Sequence, residues 1–296
     1  MLIIEKLNKK EDMSNLEICI ADFILKAGIK IENYSTRNLA ESTYTSPATV
    51  IRFCKRLGFT GFEEFKVSLI KEINYLNQQS GKIDANFPFL KDDTVMKAAN
   101  NISHLYIDTI QDTMSLVNYN SIQKALTLIK YSDCISIFSA GTALNQAESF
   151  KEKMMKIGKR VSISNNLNYQ LYEAGCLTSR DVAIIISYSG ETEKMIEIAK
   201  ECKKRAVQII VITSFGENSL SQYASCKLLL STKESLFQNL GDFSIHISVN
   251  LILDILYSSY FLLNYDENYN KKLEKTKKLE YKRHSKNTLL MNNDIK

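Results

Sequence analysis

The segment from Val182 to Thr192 reads VAIIISYSGET and joins a short apolar run to a turn rich in hydroxyl groups. Its first five residues are apolar, which is typical of a strand buried on both faces, and Ser187, Ser189 and Gly190 follow within four positions. A helix is expected to begin near Glu191. A buried strand that passes through a tight turn into a helix is the repeating unit of a parallel sheet.

Similar strands recur on both sides of this segment. They are predicted at Ile135–Ser139, Val161–Ser164, Val182–Ser187, Val207–Thr213 and Leu228–Ser231. Helical stretches separate them, because parallel strands need crossovers, and such helices cover both faces of the sheet. We therefore predict that residues 94–265 form an α/β three-layer sandwich around a flavodoxin-like parallel five-stranded sheet. Within this domain, one long helical stretch from Thr94 to Lys130 comes before the first strand.

The N-terminal residues follow a helical period instead. Apolar side chains in residues 14–76 predict one helix that ends at Gly28, a second short helix that Ser35 caps, a third described below, and a fourth after Gly61. We therefore predict that residues 1–76 form an all-α domain. Residues 77–93 are polar and irregular and are predicted to be a linker.

The third helix has the clearest boundaries. Ser46 is a capping residue, Pro47 occupies the first helical position, where its missing N–H costs nothing, and Gly58 ends the helix. One face carries Val50, Phe53, Cys54 and Leu57, and the other carries Ala48, Thr49, Arg52, Lys55 and Arg56. No acidic residue occurs from Tyr44 to Phe62, so a DNA phosphate would meet these cations without local repulsion.

This helix is a candidate for reading DNA, although a basic helix face can also simply be solvated. Base edges are read by short or planar donors near the start of such a helix, which selects Ser46, Ala48, Thr49 and Arg52. Phosphate contacts are predicted for Thr45, Lys55 and Arg56.

A second candidate site lies where two predicted strands run into helices. Unpaired N–H groups at a helix start attract anions, so hydroxyl groups placed there can form a phosphate site without lysine. In a flavodoxin-like sheet the first and third strands are neighbours, and their loops face one crevice. The predicted ligand-binding residues are Ser139, Gly141, Thr142, Ser187, Ser189, Gly190, Glu191 and Thr192.

Composition limits the remaining possibilities. A chain of 296 residues with 45% hydrophobic and 24% charged residues is typical of two soluble globular domains. The six cysteines include no C-x-x-C pair and are expected to be reduced, and no metal or cofactor is predicted. The sequence has neither the pattern of a secretory signal nor an uninterrupted apolar span, so we predict a cytoplasmic protein that is not in a membrane.

The net charge of +5 only weakly favours a polyanionic partner. Much of this basic charge lies in residues 266–296, which are predicted to be a basic tail, either a frayed helix or solvated chain.

The run from Asn38 to Lys66, NLAESTYTSPATVIRFCKRLGFTGFEEFK, resembles the helix-turn-helix of the RpiR/MurR family of bacterial regulators. The resemblance implies that Ser46 through Arg56 are the recognition helix, with Gly58 and Gly61 shaping its exit. Residues 117–263 resemble a sugar isomerase (SIS) domain, and Ser187, Ser189 and Thr192 match its S-x-S-G-x-T signature for a phosphosugar.

The resemblance implies that these three hydroxyl groups hold a sugar phosphate. The family usually carries a serine where this chain has Ala143, and Thr142 is the alternative hydroxyl. Isomerases also need an acid or base that titrates near neutral pH, for which the candidates are His246, Glu191 and Glu234. None has a recognisable catalytic arrangement, so we predict no catalytic residue.

The sequence thus predicts a DNA-binding transcriptional regulator that acts as a homodimer or higher homo-oligomer. Its partners are a double-stranded DNA operator and a phosphorylated sugar effector bound in the SIS domain. Two alternatives stay open: a sugar-phosphate isomerase with an accessory helical domain, and a DNA-binding dimer that needs no ligand.

Overall fold

A computed structural model describes residues 2–78, 83–280 and 282 of the chain. These residues separate into two compact units. The N-terminal unit comprises Met1–Leu116, Phe215–Asn218 and Ser231–Ser244, and the sheet unit comprises Val117–Ser214, Ser219–Leu230 and Ile245–Lys296. Each unit is described by itself.

The N-terminal unit is helical, as predicted. Its helices are α1 (Ile3–Lys9), α2 (Asn15–Ala27), a 3₁₀ turn (Gly28–Asn33), α3 (Thr36–Ser42), α4 (Pro47–Arg56), α5 (Phe62–Gln78) and α6 (Val95–Leu116). The helices predicted to end at Gly28, to be capped by Ser35 and to begin at Pro47 are all present. Helix α1 was not predicted, because its seven residues are too few to show a helical period.

Phenylalanine side chains form the centre of the N-terminal unit. Phe53 of α4 and Phe65 of α5 are fully buried and meet edge to face with ring centroids 6.2 Å apart. Helix α1 is attached by polar contacts as well, since the backbone N–H groups of Ile3 and Ile4 each donate to the carboxylate of Glu72 at 2.7 Å. The ring contact packs α4 against α5, and the hydrogen bonds to Glu72 attach α1 to α5.

The sheet unit alternates strands and helices. Its elements are α7 (Tyr119–Tyr131), β1 (Ile135–Ser139), α8 (Ala143–Lys156), β2 (Val161–Ile163), α9 (Leu167–Cys176), β3 (Val182–Ile186), α10 (Glu193–Lys204), β4 (Gln208–Ser214), a 3₁₀ turn (Leu220–Tyr223), β5 (Cys226–Leu230) and α12 (Tyr265–Leu279). Helix α11 (Phe243–Leu262) begins in the N-terminal unit and lies in the sheet unit from Ile245 onward.

The five strands are parallel and lie in the order β2-β1-β3-β4-β5, which is the predicted flavodoxin-like arrangement. Strands β1 and β3 are neighbours, with Ser139 opposite Ile186 at their carboxyl ends. The chain leaves β1 toward β2 on one side and β3 toward β4 on the other. The topological switch point therefore lies between β1 and β3, as the sequence predicted.

Alternate residues of each strand fill two separate cores. Ile184 and Ile186 of β3 pack in one core with residues of α7, α8 and α11, whereas Ala183 and Ile185 pack in the other with residues of α9 and α10. Helices thus cover both faces of the sheet, and the predicted three-layer sandwich is confirmed.

The long predicted helix from Thr94 to Lys130 is two helices. The first ends at Leu116, and Asn118 caps the start of the second, α7, by accepting from the N–H of Ser121 at 3.2 Å. Helix α6 belongs to the N-terminal unit, where the hydroxyl of Thr109 donates to that of Ser244 at 3.0 Å. The two compact units therefore divide at Leu116, whereas the sequence placed the second domain from residue 94.

The predicted basic tail is partly helical. Helix α12 continues to Leu279 and packs on α8. Of the two alternatives predicted for the tail, the helix is therefore the one found for residues 265–279. Residues 281 and 283–296 of the predicted tail, like residues 79–82 of the predicted linker, lie outside the described residues.

Helix α11 is the one helix of the described residues that is long and apolar enough to cross a bilayer by length and composition. Val249, Ile252, Leu253 and Leu256 of this helix are buried in the core of the sheet unit. These four side chains contribute to that core.

Candidate functional sites

Helices α3 and α4 are joined by a short turn that is fixed by hydrogen bonds. The hydroxyl of Thr43 donates to the carbonyl of Leu39 at 2.8 Å, and the N–H of Thr45 donates to the carbonyl of Ala40 at 2.8 Å. Two short helices joined by such a turn form a helix-turn-helix.

The start of α4 has the geometry that the sequence predicted. The hydroxyl oxygen of Ser46 accepts from the N–H of Thr49 at 3.1 Å, and the two side-chain hydroxyl groups lie 2.9 Å apart. Pro47 occupies the first turn. Because one of the unpaired N–H groups is satisfied within the helix, this helix start is stabilised without any ligand.

The predicted DNA-contacting residues share the exposed side of α4. Val50, Phe53 and Cys54 face the core, whereas the side chains of Ser46, Ala48, Arg52, Lys55 and Arg56 are exposed and those of Thr45 and Thr49 are half-buried. Within residues 2–78, 83–280 and 282, Arg52 and Lys55 form no ion pair. Their charges are therefore available to an anionic partner.

Arg56 is placed differently. Its guanidinium pairs with the carboxylate of Glu17 at 2.7 Å and also donates to the carbonyl of Asp12. Burial alone would raise the pKa of Glu17, but hydrogen bonds from Ser14 and Arg56 outweigh it and lower that pKa. The sequence around α4 contains no acidic residue, so the carboxylate that neutralises Arg56 comes from α2. Arg56 is thus held by the fold and is less free than Arg52 to meet DNA.

The second candidate site lies at the carboxyl ends of β1 and β3. Gly141 in the loop after β1 has φ +69°, and Gly190 in the loop after β3 has φ +67°. Both angles lie in the left-handed region that favours glycine. Each loop turns sharply and leads into a helix, α8 or α10, within a few residues. The two helix starts therefore follow adjacent strand ends.

The loop after β3 contains a small network of hydroxyl groups. The side-chain oxygens of Ser187 and Thr192 lie 3.0 Å apart, and Ser187 Oγ accepts from the N–H of Gly190 at 3.2 Å. Ser189 Oγ accepts from the N–H of Glu191 at 3.1 Å. Ser187, Ser189 and Thr192 are thus gathered around one turn, as the sequence predicted from their spacing.

The helix starts at this edge lack the capping bond that α4 has. The capping residues of α8 and α10 are Thr142 and Thr192, and neither makes a side-chain capping hydrogen bond. By contrast, Asn118 of α7 and Asn166 of α9 each accept from a backbone N–H of the first turn. Helix starts without such a bond keep backbone N–H groups that can donate hydrogen bonds to an anion.

Ser139 has a structural role in addition to its predicted one. Its buried hydroxyl donates to the carbonyl of Ile186 at 3.1 Å, and its own carbonyl accepts from the amide of Gln170 at 2.9 Å. The first bond joins the ends of β1 and β3, and the second joins the end of β1 to α9. A hydroxyl that is used in this way keeps the two loops together and has less capacity left for a ligand.

Glu191 anchors the loop that follows β4. Its carboxylate accepts from the N–H of Ser219 at 2.8 Å, and hydrogen bonds from the Ser219 side chain and backbone lower the pKa of Glu191. The carbonyl of Gly190 accepts from the N–H of Leu220 at 3.0 Å. Glu191 is therefore an ionised structural anchor at neutral pH.

The other two acid–base candidates lie elsewhere in the chain. His246 is in the first turns of α11, and its Nε2 is buried without a hydrogen-bond partner among the described residues. Glu234 is buried in the N-terminal unit. The structure therefore assigns these two candidates to different compact units.

The residues on either side of the end of β4 have contacts within different units. The carbonyl of Tyr188 accepts from the N–H of Ser214 at 3.0 Å, and Ser214 is the last residue of β4. The next residue, Phe215, belongs to the N-terminal unit, where its ring lies 4.5 Å from that of Tyr75 of α5. The hydroxyl of Tyr75 donates to Asp112 at 3.2 Å and accepts from the N–H of Thr232 at 2.8 Å. Sequence reasoning missed this arrangement, because no local pattern links Tyr75 to Phe215.

Family models match both regions. Residues 1–75 match the model of the helix-turn-helix domain of the rpiR family, and residues 128–245 match that of the SIS domain. The chain belongs to the RpiR family. This RpiR protein is accordingly a transcriptional regulator with a helix-turn-helix domain followed by a SIS domain.

Two relatives of the RpiR protein have similar length. An uncharacterized HTH-type transcriptional regulator of Haemophilus influenzae is 27% identical over 249 residues, which cover 84% of this chain and 85% of the relative. Another from Clostridium perfringens is 27% identical over 277 residues, covering 93% of this chain and 98% of the relative. These matches extend across both domains.

Solved structures share the fold. The NanR protein of Vibrio vulnificus, complexed with ManNAc-6P, superposes with a TM-score of 0.59 at 20% identity and covers 95% of this chain and 99% of its own. The sugar isomerase domain of an RpiR transcription factor from Sphaerobacter thermophilus gives a TM-score of 0.54 at 14% identity, covering 61% of this chain and 98% of its own. At these identities the likeness concerns the fold alone.

Proposed function

We propose that this RpiR protein binds a double-stranded DNA operator through α4. The exposed cations Arg52 and Lys55 on a helix that is capped without a ligand are the observation that carries this proposal. Ser46, Ala48, Thr49 and Arg52 read base edges in the major groove, while Thr45 and Lys55 contact phosphates. Arg56 contributes less, because Glu17 already neutralises its charge.

We propose that the effector is a phosphorylated sugar held at the switch point of the sheet. The hydroxyl groups of Ser187, Ser189 and Thr192 and the uncapped starts of α8 and α10 supply donors for a phosphate. Gly141 and Gly190 allow the backbone to approach the ligand. Thr142, which is exposed beside Ala143, supplies the hydroxyl that the family usually has at the next position.

The NanR structure contains ManNAc-6P, an amino-sugar phosphate. That ligand belongs to NanR, and it makes amino-sugar 6-phosphates the first compounds to test here.

We propose that the ligand acts on DNA binding through the loop that ends β4. A phosphate bound by the loop after β3 changes the position of Tyr188, whose carbonyl accepts a hydrogen bond from the N–H of Ser214. The peptide bond from Ser214 to Phe215 carries this change to the ring of Tyr75 on α5. An effector can shift DNA affinity only by its differential affinity for two states, typically about 1–3 kcal/mol, or about 5–150-fold.

The protein acts as a homodimer in this proposal. A two-fold symmetric regulator places its recognition helices about 34–36 Å apart on adjacent half-sites, so a modest rotation of one subunit weakens both contacts. We also propose that it functions in the cytoplasm, where operator DNA and sugar phosphates occur together, and that it binds its ligand without turnover. The lowered pKa of Glu191 supports the last point, because a carboxylate whose pKa is shifted further below neutral pH is a poor proton donor and also a weaker base.

The test is fluorescence anisotropy of a labelled operator duplex titrated with the full-length protein, at a fixed total ionic strength. Hexose and amino-sugar 6-phosphates are the effectors, and inorganic phosphate and the unphosphorylated sugars are the controls. We expect one phosphosugar to change the operator Kd by about 5–150-fold while the controls do not. A dimer that binds no duplex in a salt-dependent way would contradict the first part of the proposal. A dimer that binds DNA equally with and without every phosphosugar would contradict the second, and a coupled isomerase assay then tests the enzyme alternative.

A further inference from the structure

Tyr44 is the most exposed large apolar or aromatic side chain among the described residues. Its side chain is 96% exposed, in the turn between α3 and α4, and its backbone has φ +52°. It stands two residues before Ser46, the capping residue of α4. An aromatic ring is thus displayed directly beside the helix proposed to read DNA.

Stability gives no reason for a tyrosine at this position. A left-handed backbone favours glycine, which occupies it at Gly28 with φ +53° and at Gly58 with φ +99°. Besides Tyr44, the described non-glycine residues in this region are Lys10, Asp12 and Ala206, none of which is aromatic. An exposed ring also buries almost no apolar surface. Among the residues that the structure describes, no contact of the Tyr44 side chain thus offsets this unfavourable backbone conformation.

The turn holds Tyr44 firmly in place. On one side, the hydroxyl of Thr43 donates to the carbonyl of Leu39 at 2.8 Å. On the other, the N–H of Thr45 donates to the carbonyl of Ala40 at 2.8 Å, and the Thr43 and Thr45 hydroxyl groups lie 2.9 Å apart. The N–H of Tyr44 itself donates to the carbonyl of Glu41 at 3.2 Å. A side chain on such a rigid turn loses little backbone freedom when it binds a partner.

We propose that the phenol hydroxyl of Tyr44 donates a hydrogen bond to a backbone phosphate of the DNA bound by α4. This inference rests on the proposed DNA-binding function and extends it to a residue outside the basic face. A tyrosine hydroxyl is a neutral donor, and contacts to phosphate fix the register of a protein on DNA without reading sequence. Because no charge is added, this contact strengthens binding without releasing further counterions.

The experiment compares four full-length proteins on a specific and a random duplex, by anisotropy at several salt concentrations. They are wild type, Tyr44→Gly, Tyr44→Phe and Lys55→Ala. We expect Tyr44→Gly and Tyr44→Phe each to weaken binding roughly fivefold to tenfold on both duplexes, which is the effect of one lost hydrogen bond. The salt slope of both variants stays that of wild type, whereas Lys55→Ala flattens it.

Thermal unfolding of the same proteins separates a DNA contact from a structural role. Tyr44→Gly relieves the left-handed strain, so its midpoint is expected to be no lower than that of wild type. Tyr44→Phe with wild-type affinity would overturn the proposal, as would a clear fall of the Tyr44→Gly midpoint. Both results leave the DNA-binding function intact if wild type still binds the duplex. Wild type that binds no duplex would overturn the function itself and this inference with it.

Discussion

The starts of α4 and α10 are built from similar residues and differ in what their hydroxyl groups do. Ser46 bonds the N–H of Thr49 and completes its own helix, whereas Thr192 makes no capping bond and contacts Ser187 instead. A completed helix start is a rigid platform that displays side chains such as Arg52. An incomplete one keeps backbone donors for an anion. The same residue types thus suit both the proposed DNA-binding face of α4 and the proposed phosphate-binding loop before α10.

The largest expected effect concerns the start of α10, which has no side-chain capping bond. Ser189→Ala removes a hydroxyl from the loop after β3, and a lost hydrogen bond to a charged ligand costs about 1.5–3 kcal/mol. We expect the phosphosugar concentration for half-maximal response to rise about tenfold or more, with ligand-free DNA affinity unchanged.

Ser132→Ala is the matched control for this change, because Ser132 is half-buried like Ser189 but lies between α7 and β1, at the opposite edge of the sheet from the switch point. Operator anisotropy titrated with the effector measures both variants. An unaltered response of Ser189→Ala would mean that this loop is not the sensor.

The next effect concerns the exposed face of α4. Arg52→Ala is expected to cost about 1–3 kcal/mol of affinity for the operator and much less for random DNA, because Arg52 is the residue proposed to read a base. Lys55→Ala should weaken both duplexes alike. Competition binding against specific and random duplexes at several salt concentrations measures the difference, and equal losses for Arg52→Ala on both would reject base reading.

A third prediction tests the capping difference itself. Ser46→Ala removes a capping bond and should lower the free energy of unfolding by about 1 kcal/mol. Thr142→Ala at the start of α8 removes a hydroxyl that makes no capping bond, so its effect should stay within about 0.5 kcal/mol. Urea unfolding followed by circular dichroism compares the two. Equal losses would show that the two kinds of helix start do not differ in stability.

The smallest effect is expected at the far end of α4. Glu17 has a lowered pKa in the folded state, so its ion pair with Arg56 stabilises the protein above the unfolded pKa of glutamate and is lost as the pH falls through the folded pKa. For this partly exposed pair we expect about 0–1 kcal/mol at neutral pH. Unfolding of wild type and Glu17→Gln at pH 7 and in the acid range measures it, and the difference between them should shrink toward low pH. A constant difference would exclude the ion pair as its cause.

Local patterns predicted the elements that local physics dictates. The five strands, with bounds correct to within two residues, the Ser46 cap and the gathering of Ser187, Ser189 and Thr192 all follow from residues within about ten positions of one another, since periodicity and capping act over that distance. The adjacency of β1 and β3 also followed, because few topologies connect alternating strands and helices. The residue types on the exposed face of α4 were predicted in the same way.

The sequence by itself determined two helix starts with hydroxyl groups, a basic helix face and a parallel sheet. Tertiary structure alone decided that Glu17 neutralises Arg56, that Ser139 joins two strand ends, and that α6 belongs to the N-terminal unit. Partners in these contacts are 39, 47 and 135 residues apart, in the pairs Arg56–Glu17, Ser139–Ile186 and Thr109–Ser244. No periodic pattern reports a contact across such a separation, because it exists only after the cores of the two units have formed.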